Sequence, residues 1–359
     1  MTKQVHGERE EVISKRGEPL KILIIRLSAI GDVVRALMIL HILRGAFPDA
    51  RLDWVVEPKS AAVVEGHPYL SELLVFERGR GVWGSLKSFF ELCRRIRANR
   101  YDIVVDAHGI LKSGLMTLFS GAPVRVGFAR PRSQEGSYFF TNRKVRLPHQ
   151  GLNRVEENLA LCGALVDNPK WTGVTIFVPW ETQHRVDRFF DETFDGGKAV
   201  VAVHPAVERV EKQWPVEHFA RACDLLLADG RFDVLLTWGP GQKAVVEQVA
   251  DAMRRKPVIA PEMPDVKHYA WLVHRSSLYL GGDTGPMHIA AAMGTPAVAI
   301  FGGTDPAKHT PYGAPSETLY VSDKGLSAKE RLRRVSPEAA YDACVRLFQA
   351  TRALNGYYG

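Results

Sequence analysis

The sequence predicts two doubly wound α/β domains, each a parallel sheet between helices, facing each other across a cleft. Two observations carry this. Apolar runs of strand length alternate with longer segments of helical period, once from residue 21 to 128 and again from 199 onward. Between the two series, residues 167–180 (D-N-P-K-W-T-G-V-T-I-F-V-P-W) hold prolines and no helical period, as a linker does. A chain of 359 residues, 46% hydrophobic, has apolar material for two cores. The expected organisation is a disordered tail over 1–19, an N-terminal domain over 20–170 and a C-terminal domain over 171–335. A last helix over 336–359 is expected to pack back on the N-terminal domain. The tail mixes acids and bases and has no apolar run, which does not suit a signal peptide.

In chain order, residues 21–27 (K-I-L-I-I-R-L) form a buried strand, 28–32 a turn, and 33–47 a helix with an apolar face. Strands follow at 52–56 and 73–76. Residues 86–98 make an amphipathic, strongly basic helix, and 103–106 return to strand. Asp106-Ala-His-Gly109 is a second loop at a strand end, with Lys112 and Ser113 opening a helix, and 124–128 is one more strand. Doubly wound sheets place ligands beyond the carboxyl ends of their strands. The loops 28–32 and 106–112 should therefore share one wall of the cleft. The second series gives strands at 199–204 and 233–237, helices at 215–228 and 243–253, a turn at 239–241, and a closing helix at 337–353.

The chain is organised around residues 281–306, G-G-D-T-G-P-M-H-I-A-A-A-M-G-T-P-A-V-A-I-F-G-G-T-D-P. A strand end, a Gly-flanked turn and a helix opened by Pro286 aim free N–H groups and a positive dipole end at one place, which suits an anion. The plainer role of Asp283 or Thr284 is to cap that helix. A second glycine-rich turn, Gly302-Gly303, closes the next strand and favours ligand binding. Asp32 poses the same choice between a cap and a functional carboxylate. A formal charge of +7 fits an anionic partner, whether nucleotide, phosphorylated lipid or nucleic acid. Nucleic acid fits least, because aromatics are not interleaved with the basic residues as stacking requires. Four scattered cysteines without a C-x-x-C pair suit a reducing compartment and no zinc site. No apolar run of about twenty residues exists to span a bilayer. Phosphate-loop, dinucleotide and serine-elbow motifs are missing, as is any D-x-D. His204, His288 and His309 lack metal-site spacing, so neither a metal nor another cofactor is expected.

R-L-S-A-I-G-D-V near the start, D-W-V-V-E at 53–57, Y-D-I-V-V-D-A-H-G-I-L-K-S at 101–113, E-K-Q-W-P at 211–215 and D-T-G-P-M-H…F-G-G-T-D-P resemble the heptosyltransferases of glycosyltransferase family 9. The resemblance runs from about residue 21 to 313. It implies a GT-B fold of two Rossmann-like domains and an inverting, metal-free transfer from ADP-heptose. Asp32 matches the family's catalytic base and Lys212 the lysine that supports the departing diphosphate. Asp283, Thr284, Gly285, His288 and Gly239 fall in the donor-binding segments. The acceptor, lipid A bearing Kdo, is implied on the N-terminal side, where Ser28, Gly31, Lys112, Arg143 and Lys144 are candidates. Three places depart from the family. The loop 204–212 is one residue longer, Gln242 and Lys243 stand where an acid usually meets the donor ribose, and His108 replaces a glutamine. Transfer to another core acceptor, or epimerase chemistry on the same architecture, stays open from sequence. The implied setting is a cytoplasmic monomer held by charge on the inner face of the inner membrane.

Overall fold

Apolar strands and amphipathic helices assemble two parallel six-stranded sheets in the computed structural model, which describes residues 19–323 and 325–356. Residues 1–18, read above as most of the tail, lie outside the described residues. The chain divides after Phe177 into two units. In the first, β1 (Lys21–Ile25), β2 (Arg51–Val56), β3 (Glu72–Val75), β4 (Ile103–Asp106), β5 (Val124–Phe128) and β6 (Arg143–Val145) lie in the order β3-β2-β1-β4-β5-β6. In the second, β7 (Ala199–His204), β8 (Phe232–Leu236), β9 (Val258–Ile259), β10 (Leu278–Gly282), β11 (Ala297–Phe301) and β12 (Ser316–Tyr320) lie in the order β12-β11-β10-β7-β8-β9. The two windings are the same. Each unit sets its first strand beside its fourth, and at that point the order reverses and the loops on either side part to leave room for a ligand.

The central strands are continuous apolar runs because helices cover both faces. Ile22 to Ile25 and Val201 to Val203 are fully buried. The first core gathers Leu23, Ile25, Val55, Val104 and Met116, and the second Val201, Val203, Phe219, Leu236, Leu280 and Ile300. Three strands were not expected: β6, β9 and β12. Each is an edge or short strand with half-exposed residues, so its apolar signal is weak. The helix expected over 33–47 begins earlier and is split, as Ile30–Ala36 and Met38–Ala46. The basic helix expected over 86–98 extends to Gly81–Asn99.

The last helix, Pro337–Gly356, packs in the second unit. Its small face of Ala340, Ala343 and Cys344, with Leu347, closes the core of the second unit beside Phe219, Phe232 and Leu226. Trp214 is buried below the start of this segment and donates its indole N–H to the Val335 carbonyl at 3.1 Å. A chain end that carries this much buried surface is part of the fold. Ala343→Asp should therefore lower stability by about 3–5 kcal/mol, the range for an uncompensated buried charge. Urea unfolding followed by circular dichroism checks this, and a shift below about 0.5 kcal/mol would place the helix outside the core.

Candidate active site

Just past β1 stands Arg26, a charged residue closing an apolar run, and only 7% of it is exposed. Its guanidinium donates to the Ala107 carbonyl beyond β4 at 2.8 Å and pairs with the Asp32 carboxylate. Arg35 holds the other oxygen of Asp32 and also donates to the Gly31 carbonyl at 3.2 Å. The helix Ile30–Ala36 starts with Ala29 at the cap position and has no side-chain cap. Asp32 is thus not the cap considered from sequence. It lies in the first helical turn, its position fixed by two arginines, with 31% of its side chain open to solvent. Ser28 and Gly31 belong to the same turn.

The loop after β4 is tied to this turn. Asp106 is buried and accepts the N–H groups of His108 and Gly109 at 3.0 and 2.9 Å and the Ser113 hydroxyl at 3.0 Å. Burial raises its carboxyl above the usual range, and those donors draw it part of the way back. His108 accepts the Leu27 N–H on Nδ1 at 3.1 Å, so its proton sits on Nε2. Burial, with the nearby Arg26 charge, pushes this imidazole down to about 3. Lys112 pairs with Glu57 at the end of β2 and lies 5.2 Å from the centre of the Phe76 ring. Arg143 and Lys144 do not form one subsite. Neighbours on a strand point to opposite faces, and Arg143 donates to the Ala164 carbonyl at 3.4 Å while Lys144 lies by the Tyr138 ring.

In the second unit β7 ends in His204, and the chain returns through the short turn Val210–Lys212 to a point beside the end of β10. There Lys212 Nζ is 2.7 Å from Asp283 Oδ2, which also accepts the Thr304 hydroxyl at 2.6 Å. Asp283 is 8% exposed. Burial alone would raise its carboxyl, but Lys212, Thr304 and the His288 charge hold it below the usual range. The helix Gly285–Ala292 has Thr284 at its cap position, Pro286 in its first turn and no side-chain cap. Thr284 instead donates to the Gly282 carbonyl at 3.4 Å. Neither capping role considered for Asp283 and Thr284 is therefore present. β10 must pass close to β7 here, and a Cβ at Gly281 would lie 2.3 Å from the Tyr279 hydroxyl and 3.0 Å from the His204 carbonyl.

His288 stands one turn into that helix. The fold brings His309 to it, so that ligand-capable atoms of Asp283, His288 and His309 lie within 4.8 Å of one another. Sequence spacing gave no sign of this, because His309 arrives from beyond β11. The Lys212 ammonium already neutralises Asp283 at this spot. Gly239 is turned inward: its N–H donates to the Gln242 side chain at 3.0 Å. His204 meets the Thr237 hydroxyl at 3.0 Å, and that hydroxyl donates to the Val203 carbonyl at 3.1 Å. Sequence reasoning did not single out Arg26, Arg35, Glu57 or Thr304, and it set His309 aside for its spacing. For Arg26 the signal was available, as a charge at the inner end of an apolar strand.

Two Rossmann-type sheets, each with charged residues gathered on the loops of its switch point, make up a GT-B architecture. Residues 89–341 match the profile of glycosyltransferase family 9 (heptosyltransferase). The chain belongs to that family. It is 23% identical to the lipopolysaccharide core heptosyltransferase OpsX of Haemophilus influenzae over 299 residues, covering 82% of each chain. It is 28% identical to lipopolysaccharide heptosyltransferase 1 of Escherichia coli K12 over 319 residues, covering 84% of this chain and 95% of the relative. Its fold is that of the E. coli heptosyltransferase WaaC with ADP, with a TM-score of 0.73 at 23% identity over 91% of this chain and 99% of that one.

The buried histidines give a pH dependence. His204 is held down to about 4 by burial, against a hydrogen bond to Gln242, and His67 to about 4 by burial and the neighbouring His41. With His108 near 3, three imidazoles stay neutral in the fold and bind a proton near 6.5 when unfolded. Below that value the unfolded chain holds more protons, so stability is fully present above about 6.5 and declines as the pH falls toward 4. The raised carboxyls of Asp106 and Asp53 act in the opposite sense, because the fold binds their protons more tightly than the unfolded chain does, whereas the lowered carboxyl of Asp283 adds to the loss at low pH. The urea midpoint should be lower at pH 5 than at pH 7.5, and His204→Gln should flatten the difference. An unchanged difference in His204→Gln would refute a neutral buried His204.

Proposed function

We propose that this enzyme transfers heptose from ADP-heptose to the Kdo-bearing lipid A of the lipopolysaccharide inner core, with inversion and without a metal. The observation that carries the donor reading is the Lys212–Asp283 pair at the uncapped N-terminus of Gly285–Ala292. As the bond from the anomeric carbon to the β-phosphate oxygen breaks, charge grows on ADP. A fixed ammonium and a helix N-terminus stabilise charge that develops where they point. The solved relative with bound ADP supports the same donor. The acceptor hydroxyl attacks the anomeric carbon and gives its proton to Asp32, whose side chain is 31% open to solvent while Arg26 and Arg35 fix the carboxylate. The metal-free reading rests on Lys212 as the cation at Asp283, and the names of the relatives support a core acceptor. The excess of basic residues supports a cytoplasmic enzyme held on the anionic inner face of the membrane. Among the described residues no helix is long and apolar enough to cross one.

Release of ADP from ADP-heptose should require a Kdo-bearing lipid acceptor in a panel of truncated cores. Release that needs only water, or that prefers an acceptor already carrying heptose, would overturn this assignment. Calorimetry in EDTA should show ADP bound as tightly as without it, and loss of binding on chelation would point to a cation at Asp283, His288 and His309. Asp32→Asn keeps an acceptor for one arginine but cannot take the proton. It should fold, bind ADP as the parent does and turn over at least about a hundredfold more slowly. Lys212→Met should lower turnover by about 10²–10³. Near-parental rates in Asp32→Asn would leave that carboxylate as a structural ion-pair partner.

A further inference from the structure

The N-terminal unit carries an apolar patch that the transfer reaction does not use. On the helix Gly81–Asn99, Trp83 is 85% exposed and Phe90 51%, with Val82 and Leu86 also open to solvent. Their spacing places all four on one stripe of the helix. Phe90 meets Phe119 of the helix Leu111–Ser120 at 6.0 Å between ring centres, and Leu118 beside it is exposed too. Single exposed apolar residues are common, but a continuous cluster with aromatics at its centre marks an interaction surface.

The charge around it identifies the partner. Between Arg78 and Arg100 there are seven basic residues and one acid, Glu91. Arg94 and Arg97, four and seven positions after Phe90, continue the same exposed stripe. One end of the helix face is therefore apolar and aromatic and the other is cationic. A helix of this kind settles at a bilayer interface, with rings at the boundary of headgroups and acyl chains and basic residues on the phosphates. We propose that this stripe is the surface by which the enzyme inserts into an anionic phospholipid bilayer. Attachment then combines burial of Trp83, Leu86 and Phe90 with attraction of Arg94 and Arg97. It sharpens the membrane attachment proposed above from charge alone to charge with insertion.

The test is sedimentation of the full-length protein with vesicles of phosphatidylglycerol and phosphatidylethanolamine, without donor or acceptor, so that its outcome is separable from the transfer reading. The parent should keep a salt-resistant fraction of binding. Trp83→Ser with Phe90→Ser should lose that fraction, with a partition coefficient lower by about tenfold or more. Arg94→Gln with Arg97→Gln should lose mainly the low-salt binding and keep the salt-resistant part. Both variants should melt like the parent and bind ADP normally, since these side chains touch neither site. Parental vesicle binding in the Trp83→Ser, Phe90→Ser variant would overturn the proposal. So would a parental dimer that this variant dissolves in light scattering, because the patch would then be covered by a second copy of the chain.

Discussion

A carboxylate taken out of water must find compensating partners, and the site loops of this enzyme are arranged around that requirement. Asp283 is nearly buried at the end of β10, and Lys212 and Thr304 reach it from the segments that follow β7 and β11. Asp106 gathers two backbone N–H groups and the Ser113 hydroxyl, which closes the loop after β4 and starts the next helix. Asp32 draws Arg26 and Arg35 to itself, and Arg26 then spans to Ala107. Each acid fixes two or three chain segments at once. Loops that would otherwise be mobile connections become defined walls at the ends of the central strands.

The shared winding of the two sheets explains why the same device appears twice. In each unit the first and fourth strands are neighbours, so two loops distant in sequence meet at one edge. Residues 27 and 108 touch although 81 positions separate them, and residues 212 and 283 although 71 do. The sequence could show the loops but not their partners. Strand ends with Asp, Gly and a following helix were readable as sites because turn chemistry is local. The pairing of Lys212 with Asp283 is a tertiary fact, and it turned a possible cap into half of an ion pair.

Legibility followed burial throughout. β1, β4, β7 and β10 are apolar except at their ends (Lys21, Asp106, His204) and were read closely from sequence, since a strand covered on both faces leaves little choice of residue. The edge strands β6, β9 and β12 passed unnoticed because half-exposed positions accept polar residues. The basic candidates Arg143 and Lys144 are adjacent in sequence. As neighbours on an edge strand they point to opposite faces. The face by which the last helix packs in the second core was hard to read, because alanine and cysteine have small side chains that give a weak periodic signal. His309 was set aside because spacing along the chain does not show which residues the fold brings together.

The Lys212–Asp283 pair also bears on how the proposed donor would be received. A lysine in water is surrounded by mobile solvent dipoles that must reorganise when charge appears nearby. Here the ammonium is held at 2.7 Å from a carboxylate whose other support comes from Thr304. A diphosphate entering beside it does not have to desolvate a free cation or order a long side chain, because both costs are met in the fold. Asp283 would keep Thr304 and the neighbouring His288 as Lys212 turns toward the phosphate, so the carboxylate is not left without compensation. The uncapped helix behind it adds N–H groups at fixed positions. On this reading Asp283 acts on the donor through the lysine, as a positioning group. Its replacement by asparagine would loosen the aim of the ammonium without removing the ammonium itself.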